Sequence, residues 1–381
     1  MRVLNVNSSL DLKSGGGTAE RTFQMSRFLA MQGVECTVLT IGYDLEQVRL
    51  AELAPATVEA FHPMWKRFHV PRIKWTRLRK LVDDADIVHL MGHWGVLNAL
   101  VYLVLRVRRK PYVVCPAGAL PIFGRSRYLK RLYNALIGNA IIRNASGWIA
   151  VTPSEIPQFE EYGVLAANIT VIPNGVVEND LPSGAIERTR LKFGLPNESL
   201  ILFMGRLNPI KGPDLLLNAF KSVAGDFPTS HLVFAGPDGG LLSDLRRTAA
   251  EHRLSHRVHF LGHVDGVDKT ALYRMASLLV VPSRQEAMSI VALEAGIAGT
   301  LALVTDQCGF SEITDIDPRL EVPATAAGLA AGLQALLIDE ASMARVAPKW
   351  QRFVREGFGW DRLIPRYLAL YGSLLSGKAT T

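Results

Sequence analysis

From end to end, short runs of aliphatic residues alternate with longer stretches whose apolar positions recur every three to four residues. Val3 to Ser8, Glu35 to Thr40, Ile87 to Met91 and Tyr112 to Cys115 read as strands, with amphipathic segments such as Thr18 to Gln32 and Arg127 to Ala140 between them. That rhythm specifies parallel strands joined by crossover helices, an α/β arrangement. The pattern then restarts: Leu200 to Met204, His231 to Ala235, Arg257 to Phe260, Leu278 to Val281 and Leu301 to Thr305 are strand-like. In the intervening Pro213 to Ala224, Leu216, Ala219, Phe220 and Val223 fall at i, i+3, i+4 and i+7, one buried helix face. Between the two series, Ile172 to Gly184 is rich in Pro, Asn, Asp and Gly, which places the hinge near Val176. The 381 residues match two ordinary cores. The expected organisation is a first domain over 1–176, a second over 177–358 and a closing helical stretch over 359–381. Open parallel sheets bind ligands beyond the carboxyl ends of their strands, so a site is expected in the cleft between two domains, on loops that follow strands.

Composition sets the environment. With 49% hydrophobic and 20% charged residues the chain has ample apolar surface to bury, which excludes intrinsic disorder. Cys36, Cys115 and Cys308 are an odd number set in or beside apolar runs, so reduced thiols in a cytoplasmic protein are expected rather than a disulfide scaffold. The first residues lack the apolar stretch of a signal peptide, and the longest apolar window, Trp94 to Leu105, is too short to span a bilayer. Residues 1–180 carry 21 Lys/Arg against 15 Asp/Glu, whereas 181–381 carry 21 against 20. Ile87 to Ser154 has no acid at all while including Arg106, Arg108, Arg109, Lys110, Arg125, Arg127, Lys130, Arg131 and Arg143. A second stretch, Trp65 to Trp75, interleaves aromatics with cations, as segments at lipid headgroups do. An anionic membrane surface is the expected partner of this basic half, set against a merely solvated basic face. Nucleic acid is not expected, since no helix-turn-helix, zinc-finger or RRM pattern is present.

Three post-strand loops carry the chemistry. After the first strand, Gly15, Gly16 and Gly17 lead into a helix, a design in which backbone N–H groups approach an anion at a helix start. It is not the dinucleotide fingerprint, which requires Gly or Ala where this chain has Glu20. The strand Leu200 to Met204 runs into Gly205-Arg206-Leu207-Asn208-Pro209-Ile210-Lys211-Gly212. Its planar guanidinium and compact ammonium, five residues apart, can converge on one diphosphate. The third loop follows the strand at Leu278 to Val281 and includes Glu286, Ala287, Met288, Ser289, Ile290 and, eight positions beyond Glu286, Glu294. A helix starting near Ser289 would offer the amides of Met288, Ser289 and Ile290 to an anion. One carboxylate before that anion site and another in the second turn can accept hydroxyls at opposite ends of a ligand whose middle is a phosphate. Sugar, diphosphate and ribose in that order describe a nucleotide sugar.

With these loops the chain resembles the retaining glycosyltransferases of family 4, which have the GT-B architecture of two Rossmann-like parallel-sheet domains facing a central cleft. The resemblance runs nearly end to end, through Gly15, Asp86-Ile-Val-His-Leu, Pro173-Asn-Gly-Val, Gly205-Arg206 with Lys211-Gly212, Leu261-Gly262, and Glu286 with Glu294. It implies an acceptor-binding first domain, a donor-binding second domain and a final helix crossing back to the first. It assigns Arg206 and Lys211 to the donor diphosphate, Glu286 to the transferred sugar's hydroxyls and Glu294 to the ribose. Gly16 and Gly17 would lie at the phosphate and sugar, and Gly262 and His263 near the base. Ala287, Met288, Ser289 and Ile290 complete the donor set. No metal or other cofactor is implied, cations and helix dipole taking that electrostatic role. Many relatives have His-Gly where this chain reads Ala117-Gly118; His93, in its own post-strand loop, is the remaining histidine candidate for catalysis beside Glu286, Arg206 and Lys211. Thr300 replaces a common proline, and Cys308-Gly309 a common Gly-Gly.

Two other patterns are set aside. Asp84-Ala85-Asp86 precedes its strand, at the wrong end of the sheet for a metal at the cleft, and reads as a solvated turn. His252, His256 and His259 have no Cys or carboxylate completing a metal set and read as surface helix. The expected function is transfer of a hexose from a UDP- or GDP-sugar to a lipid-linked or oligosaccharide acceptor in polysaccharide or glycolipid assembly, by an enzyme peripheral on the inner face of the cell membrane. The alternatives are a non-catalytic sugar-nucleotide-binding subunit and a GT-B epimerase or phosphorylase.

Overall fold

The computed structural model describes residues 1–42, 47–65, 69–122 and 126–377, of which 12–14 and 47–48 as backbone alone. Lys66, Arg67 and Phe68 of the basic aromatic stretch, and Arg125 of the acid-free run, lie outside the described residues. The chain forms two compact units, Met1–Gly175 with Trp360–Thr381, and Val176–Gly359.

In the first unit seven strands form one parallel sheet: β1 (Arg2–Val6), β2 (Glu35–Ile41), β3 (Thr57–Phe61), β6 (Ile87–Met91), β7 (Tyr112–Cys115), β8 (Gly147–Ala150) and β9 (Ile169–Val171). Their order is β3-β2-β1-β6-β7-β8-β9, so the direction of winding reverses between β1 and β6. Two short strands, β4 (Pro63–Trp65) and β5 (Val70–Pro71), make a separate antiparallel pair. The second unit repeats the plan with six parallel strands: β10 (Leu200–Met204), β11 (His231–Ala235), β12 (Val258–Gly262), β13 (Leu278–Val281), β14 (Ala302–Thr305) and β15 (Glu321–Val322). Here the order is β12-β11-β10-β13-β14-β15, with the reversal between β10 and β13. Helices cover both faces of such sheets, which is why β6, β10 and β13 are buried along their whole length and β10 and β13 read as continuous apolar runs. Asn5 and Asn7 interrupt that pattern in and after β1, and both are satisfied. Asn5 donates to Ser26 Oγ at 2.8 Å, and Asn7 to Thr18 O at 3.0 Å and Thr22 Oγ1 at 2.8 Å.

The helix Trp360–Leu375 belongs to the first unit although it follows the second in the chain. Trp360 stacks on Phe28, ring centroids 6.3 Å apart, and lies so close to Gly175 that a Cβ there would sit 2.4 Å from the indole. Arg21 is fully buried beneath this helix. Its guanidinium donates to Asn174 Oδ1, Ile172 O and Tyr367 Oη at 2.8, 2.8 and 2.6 Å. The Pro-Asn-Gly turn and the final helix are thus tied by one buried cation. At the edges of the second unit, Val176 N donates to Phe358 O at 2.8 Å, so the chain enters and leaves it side by side.

Three expectations need correction. Arg127 to Ala140 is not one regular helix: α-helical Arg127–Tyr133 and Asn139–Arg143 flank a π-helical turn at Asn134–Gly138, where Asn134 is drawn inward to a hydrogen bond. The glycine loop does not simply precede its helix. Helical residues run over Leu12–Met31, with the backbone broken at Gly16 (φ 56°, ψ −141°), a conformation only glycine adopts readily. The three histidines do not share a surface helix: His252 caps the helix Leu242–Glu251, His256 follows it, and His259 lies on β12 with Nε2 3.1 Å from Nδ1 of His231. By contrast Asp86 has a plain structural partner, accepting the backbone N–H of Arg2 at 2.8 Å, which holds its carboxyl below the usual range.

Candidate functional site

The second unit gathers its candidates on loops fixed backbone against backbone. After β10, Gly212 has φ 67°, and a Cβ there would lie 2.0 Å from Pro282 O in the loop after β13. Gly309, after β14, has φ 58°, and its Cβ would lie 1.9 Å from Ala287 O. Any side chain at either position would push these loops apart, so three post-strand segments keep one spacing only with glycine. Arg284 reinforces the contact: its backbone N–H donates to Ile210 O at 2.8 Å and its guanidinium grips Asp214 through two bonds of 2.9 and 2.6 Å.

That spacing brings Lys211 and Glu286 together across 75 positions of sequence, with Nζ donating to Oε1 at 2.7 Å. Ser283 Oγ donates to Oε2 at 2.9 Å, and the backbone N–H of Glu286 donates to Gln307 O at 2.9 Å. Asn208 Oδ1 accepts the Lys211 backbone N–H at 3.0 Å, which shapes the loop that presents the ammonium. Arg206 is an exposed residue of the same loop. The side chains of Lys211 and Glu286 keep 33% and 14% of their exposure, so an arriving anion can reach the ammonium without unfolding anything.

The helix Ile290–Ala298 begins where the sequence places it. Ser289 is its N-cap, Oγ accepting Ala292 N at 3.4 Å, and Ser289 and Met288 are buried. The first amides of such a helix have no intrahelical acceptor. One turn further on, Glu294 accepts from Lys269 Nζ at 2.6 Å and from Tyr273 Oη at 2.7 Å. Burial and the adjacent carboxylate raise the Tyr273 phenol well above its usual range, so it remains a donor. Gly262 ends β12 with φ 74° and open space where a Cβ would stand; its carbonyl accepts Gly236 N at 2.6 Å. His263 is exposed, with Nε2 3.1 Å from Asp265 Oδ2. Lys211, Ser283 and Glu286 therefore form one cluster just before the cap at Ser289, and Glu294 lies one turn into the helix. Sequence reasoning missed Lys269, Tyr273 and Ser283; only Ser283, three residues before Glu286, had a local signal.

In the first unit, Gly16 breaks the backbone, Gly17 is exposed, and Thr18 Oγ1 donates to Gly15 O at 3.0 Å. His93 differs from its expected place in an accessible loop. Its ring is 2% exposed, enclosed edge-on by Trp94, Tyr133 and Tyr162 at centroid distances of 4.5, 5.7 and 5.6 Å. Nε2 is 2.8 Å from Asn134 Oδ1, whose amide donates to Tyr162 Oη at 2.7 Å, so the Nε2–H tautomer is the one that completes the chain. Burial pushes its pKa down to about 4, and that of His89, bonded through Nδ1 to Tyr371 Oη at 2.7 Å, to about 3. At neutral pH both rings are uncharged. Ala117 lies in the left-handed region at φ 50°.

Two parallel-sheet units of this kind, each with its polar candidates on loops after strands, match the GT-B architecture. The model described as Glycosyltransferase Family 4 matches residues 15–179, and that described as Glycosyl transferases group 1 matches 186–352. The D-inositol 3-phosphate glycosyltransferase of Salinispora tropica is 32% identical over 328 residues, 78% of this chain and 67% of the relative. That of Frankia alni is 26% identical over 96% of each chain. Among solved structures, Anabaena HepE in complex with UDP-glucose is similar with a TM-score of 0.78 at 18% identity, covering 99% of this chain and 100% of that one. Sucrose-phosphate synthase from Thermosynechococcus elongatus gives 0.77 at 20% identity, covering 99% and 100%. The chain belongs to glycosyltransferase family 4, and its reaction is sugar transfer from a nucleotide sugar.

Proposed function

We propose that this enzyme moves a hexose, with retention and without a metal, from a UDP- or GDP-hexose to a saccharide or lipid-linked acceptor hydroxyl. The observation that carries this reading is the Lys211–Glu286 pair, held at 2.7 Å on glycine-locked loops beside the helix start at Ser289. In the proposed complex the donor diphosphate draws Lys211 and Arg206 to its oxygens, releasing Glu286 to accept hydroxyls of the transferred sugar. Gly16 and Gly17 border the phosphates and sugar. The amides at the start of the helix Ile290–Ala298 share the negative charge, Glu294 accepts the ribose hydroxyls, and Gly262 and His263 border the base. Ala287 and Met288 contribute backbone. Each charge-assisted bond contributes about 1.5–3 kcal/mol, and the gain grows as the leaving diphosphate gathers charge.

Retention follows if the acceptor oxygen attacks from the face the diphosphate leaves. The bond from the anomeric carbon to the phosphate oxygen breaks, the acceptor oxygen bonds to that carbon, and the acceptor's proton passes to the departing phosphate oxygen. No side-chain base is required, which accords with Ala117 and with a His93 that is buried and neutral. HepE, solved with UDP-glucose, and relatives named for an inositol phosphate acceptor support a nucleotide-hexose donor and a polyol acceptor.

The cytoplasmic membrane surface enters through residues Arg127–Gly138. Tyr128, Leu129, Leu132 and Leu136 are exposed there, interspersed with Arg127, Lys130 and Arg131, the mixture that settles at anionic headgroups. No helix among the described residues is long and apolar enough to cross a membrane. The decisive experiment is thermal stabilisation by UDP, GDP, ADP and their hexose conjugates. A ligand at 100 times its dissociation constant adds about 2.7 kcal/mol, so one base series should stand out and Arg206→Ala should erase it. No shift with any of them would overturn the donor site proposed here.

A further inference from the structure

We infer that Lys269 and Tyr273 are positioning residues that orient Glu294 for a vicinal diol and cancel its charge, making this enzyme's preference for ribonucleotide over deoxyribonucleotide donors depend on them. The inference rests on Glu294 being the ribose acceptor, as proposed above.

Both donors come from one helix, Gly266–Met275, four residues apart and therefore on one face. Lys269 Nζ takes Oε1 at 2.6 Å and Tyr273 Oη takes Oε2 at 2.7 Å, one donor on each oxygen. A carboxylate has about four lone-pair sites, so one on each oxygen remains for a ligand. Two acceptors about 2.2 Å apart, the width of a carboxylate, suit two neighbouring hydroxyls of a ring. With both oxygens of Glu294 held before the ligand arrives, the ligand need not order the side chain.

Tyr273 is itself anchored. The residue is 3% exposed, and its backbone carbonyl accepts Thr300 Oγ1 at 2.5 Å. Thr300, also buried, directly follows Gly299, the left-handed residue that ends the Glu294 helix. Tyr273 thus holds that helix at two points, the hydroxyl at Glu294 and the carbonyl past its C-terminus. Thr300, the residue that departs from the family's proline, supplies the second point. The Lys269 ammonium has a separate effect. An isolated carboxylate one turn from a diphosphate site would repel the ligand, and the ammonium at 2.6 Å offsets that field.

The test compares dissociation constants of UDP with 2′-deoxy-UDP and of GDP with 2′-deoxy-GDP by calorimetry, in the full chain and in Tyr273→Phe, Lys269→Met and Glu294→Ala. The unaltered protein should prefer the ribonucleotide by about tenfold or more, the scale of one bond to a charged acceptor. Glu294→Ala should bring that ratio to about one. Tyr273→Phe should reduce it to about two- to threefold while binding of the deoxynucleotide changes little, a signature that loss of packing alone would not give. Lys269→Met, a change at a partly exposed side chain, should reduce the ratio and weaken both nucleotides, more so at low salt. If Glu294→Ala abolishes the preference but Tyr273→Phe and Lys269→Met retain it in full, the positioning role is wrong. If Glu294→Ala itself leaves the ratio unaltered, the ribose reading fails and the inference falls with it.

Discussion

The two sheets reverse direction in the same way, between β1 and β6 and between β10 and β13, yet they place opposite kinds of polar residue near those reversals. The second unit carries two lysine–glutamate pairs, each carboxylate held by one ammonium and one hydroxyl, all with part of their surface still wet. The first unit carries His89 and His93, sealed in aromatic surroundings and neutral. Burial decides the difference. An ion pair at the surface keeps enough water to remain charged and can exchange its partner for a ligand, whereas an imidazole enclosed by rings loses its charge because one hydrogen bond does not make up for the lost hydration. The pairs of the second unit can meet an anion, whereas the two buried histidines of the first carry no charge to offer one. Arg21, a buried cation of the first unit, is locked by three oxygens and cannot serve a ligand.

The contrast can be tested from its strongest consequence downward. Glu286→Ala should lower turnover about a thousandfold, the loss typical of a polar group acting on the reacting centre, while His93→Gln keeps turnover within about tenfold; radiolabelled sugar transfer measures both. Equal losses would put a working base in the first unit and break the comparison. Arg21→Met should cost about 3 kcal/mol in urea unfolding, because Asn174, Ile172 and Tyr367 lose their buried donor together, with nucleotide affinity unmoved. Lys211→Met should weaken binding of the preferred nucleoside diphosphate by about 10- to 100-fold, measured by calorimetry, with thermal stability little changed.

The smallest effect concerns pH. His93 has a folded pKa of about 4, below its unfolded value, so the unfolded chain takes up a proton first as pH falls. Its contribution is fully present above about pH 6.5 and is lost as pH falls from there toward 4. His93→Gln should therefore flatten the slope of stability in that window by up to about 1.4 kcal/mol per pH unit relative to the unaltered protein. An unchanged slope would mean the ring is not enclosed.

Legibility followed the range over which each feature is decided. Strands such as β6, β10 and β13 were visible because sheet burial writes itself into contiguous residues, and Arg206, Lys211, Glu286 and Glu294 because post-strand loops and a helix start have local spelling. The burial of His93 had no such spelling. Asn134, 41 positions away, turns inward only because the helix there takes a π turn. Lys269 and Tyr273 carry no local signal. Their partner is 25 and 21 residues downstream, set by how that helix packs on the next. The acid-free run was legible as charge but not as a surface, since its apolar exposure at Tyr128 and Leu136 depends on which helix face the core takes.

The late position of the helix Trp360–Leu375 gives the molecule an order of completion. The second unit is one uninterrupted segment, Val176–Gly359, and every residue it needs has been synthesised once Gly359 is made. The first unit, begun earlier, still lacks the hydroxyls of Tyr367 and Tyr371, so until the ribosome has passed them Arg21 and His89 have no complete set of partners. The half that starts first finishes last, and a chain arrested between Gly359 and Tyr371 would emerge with a finished second half and an unfinished first one.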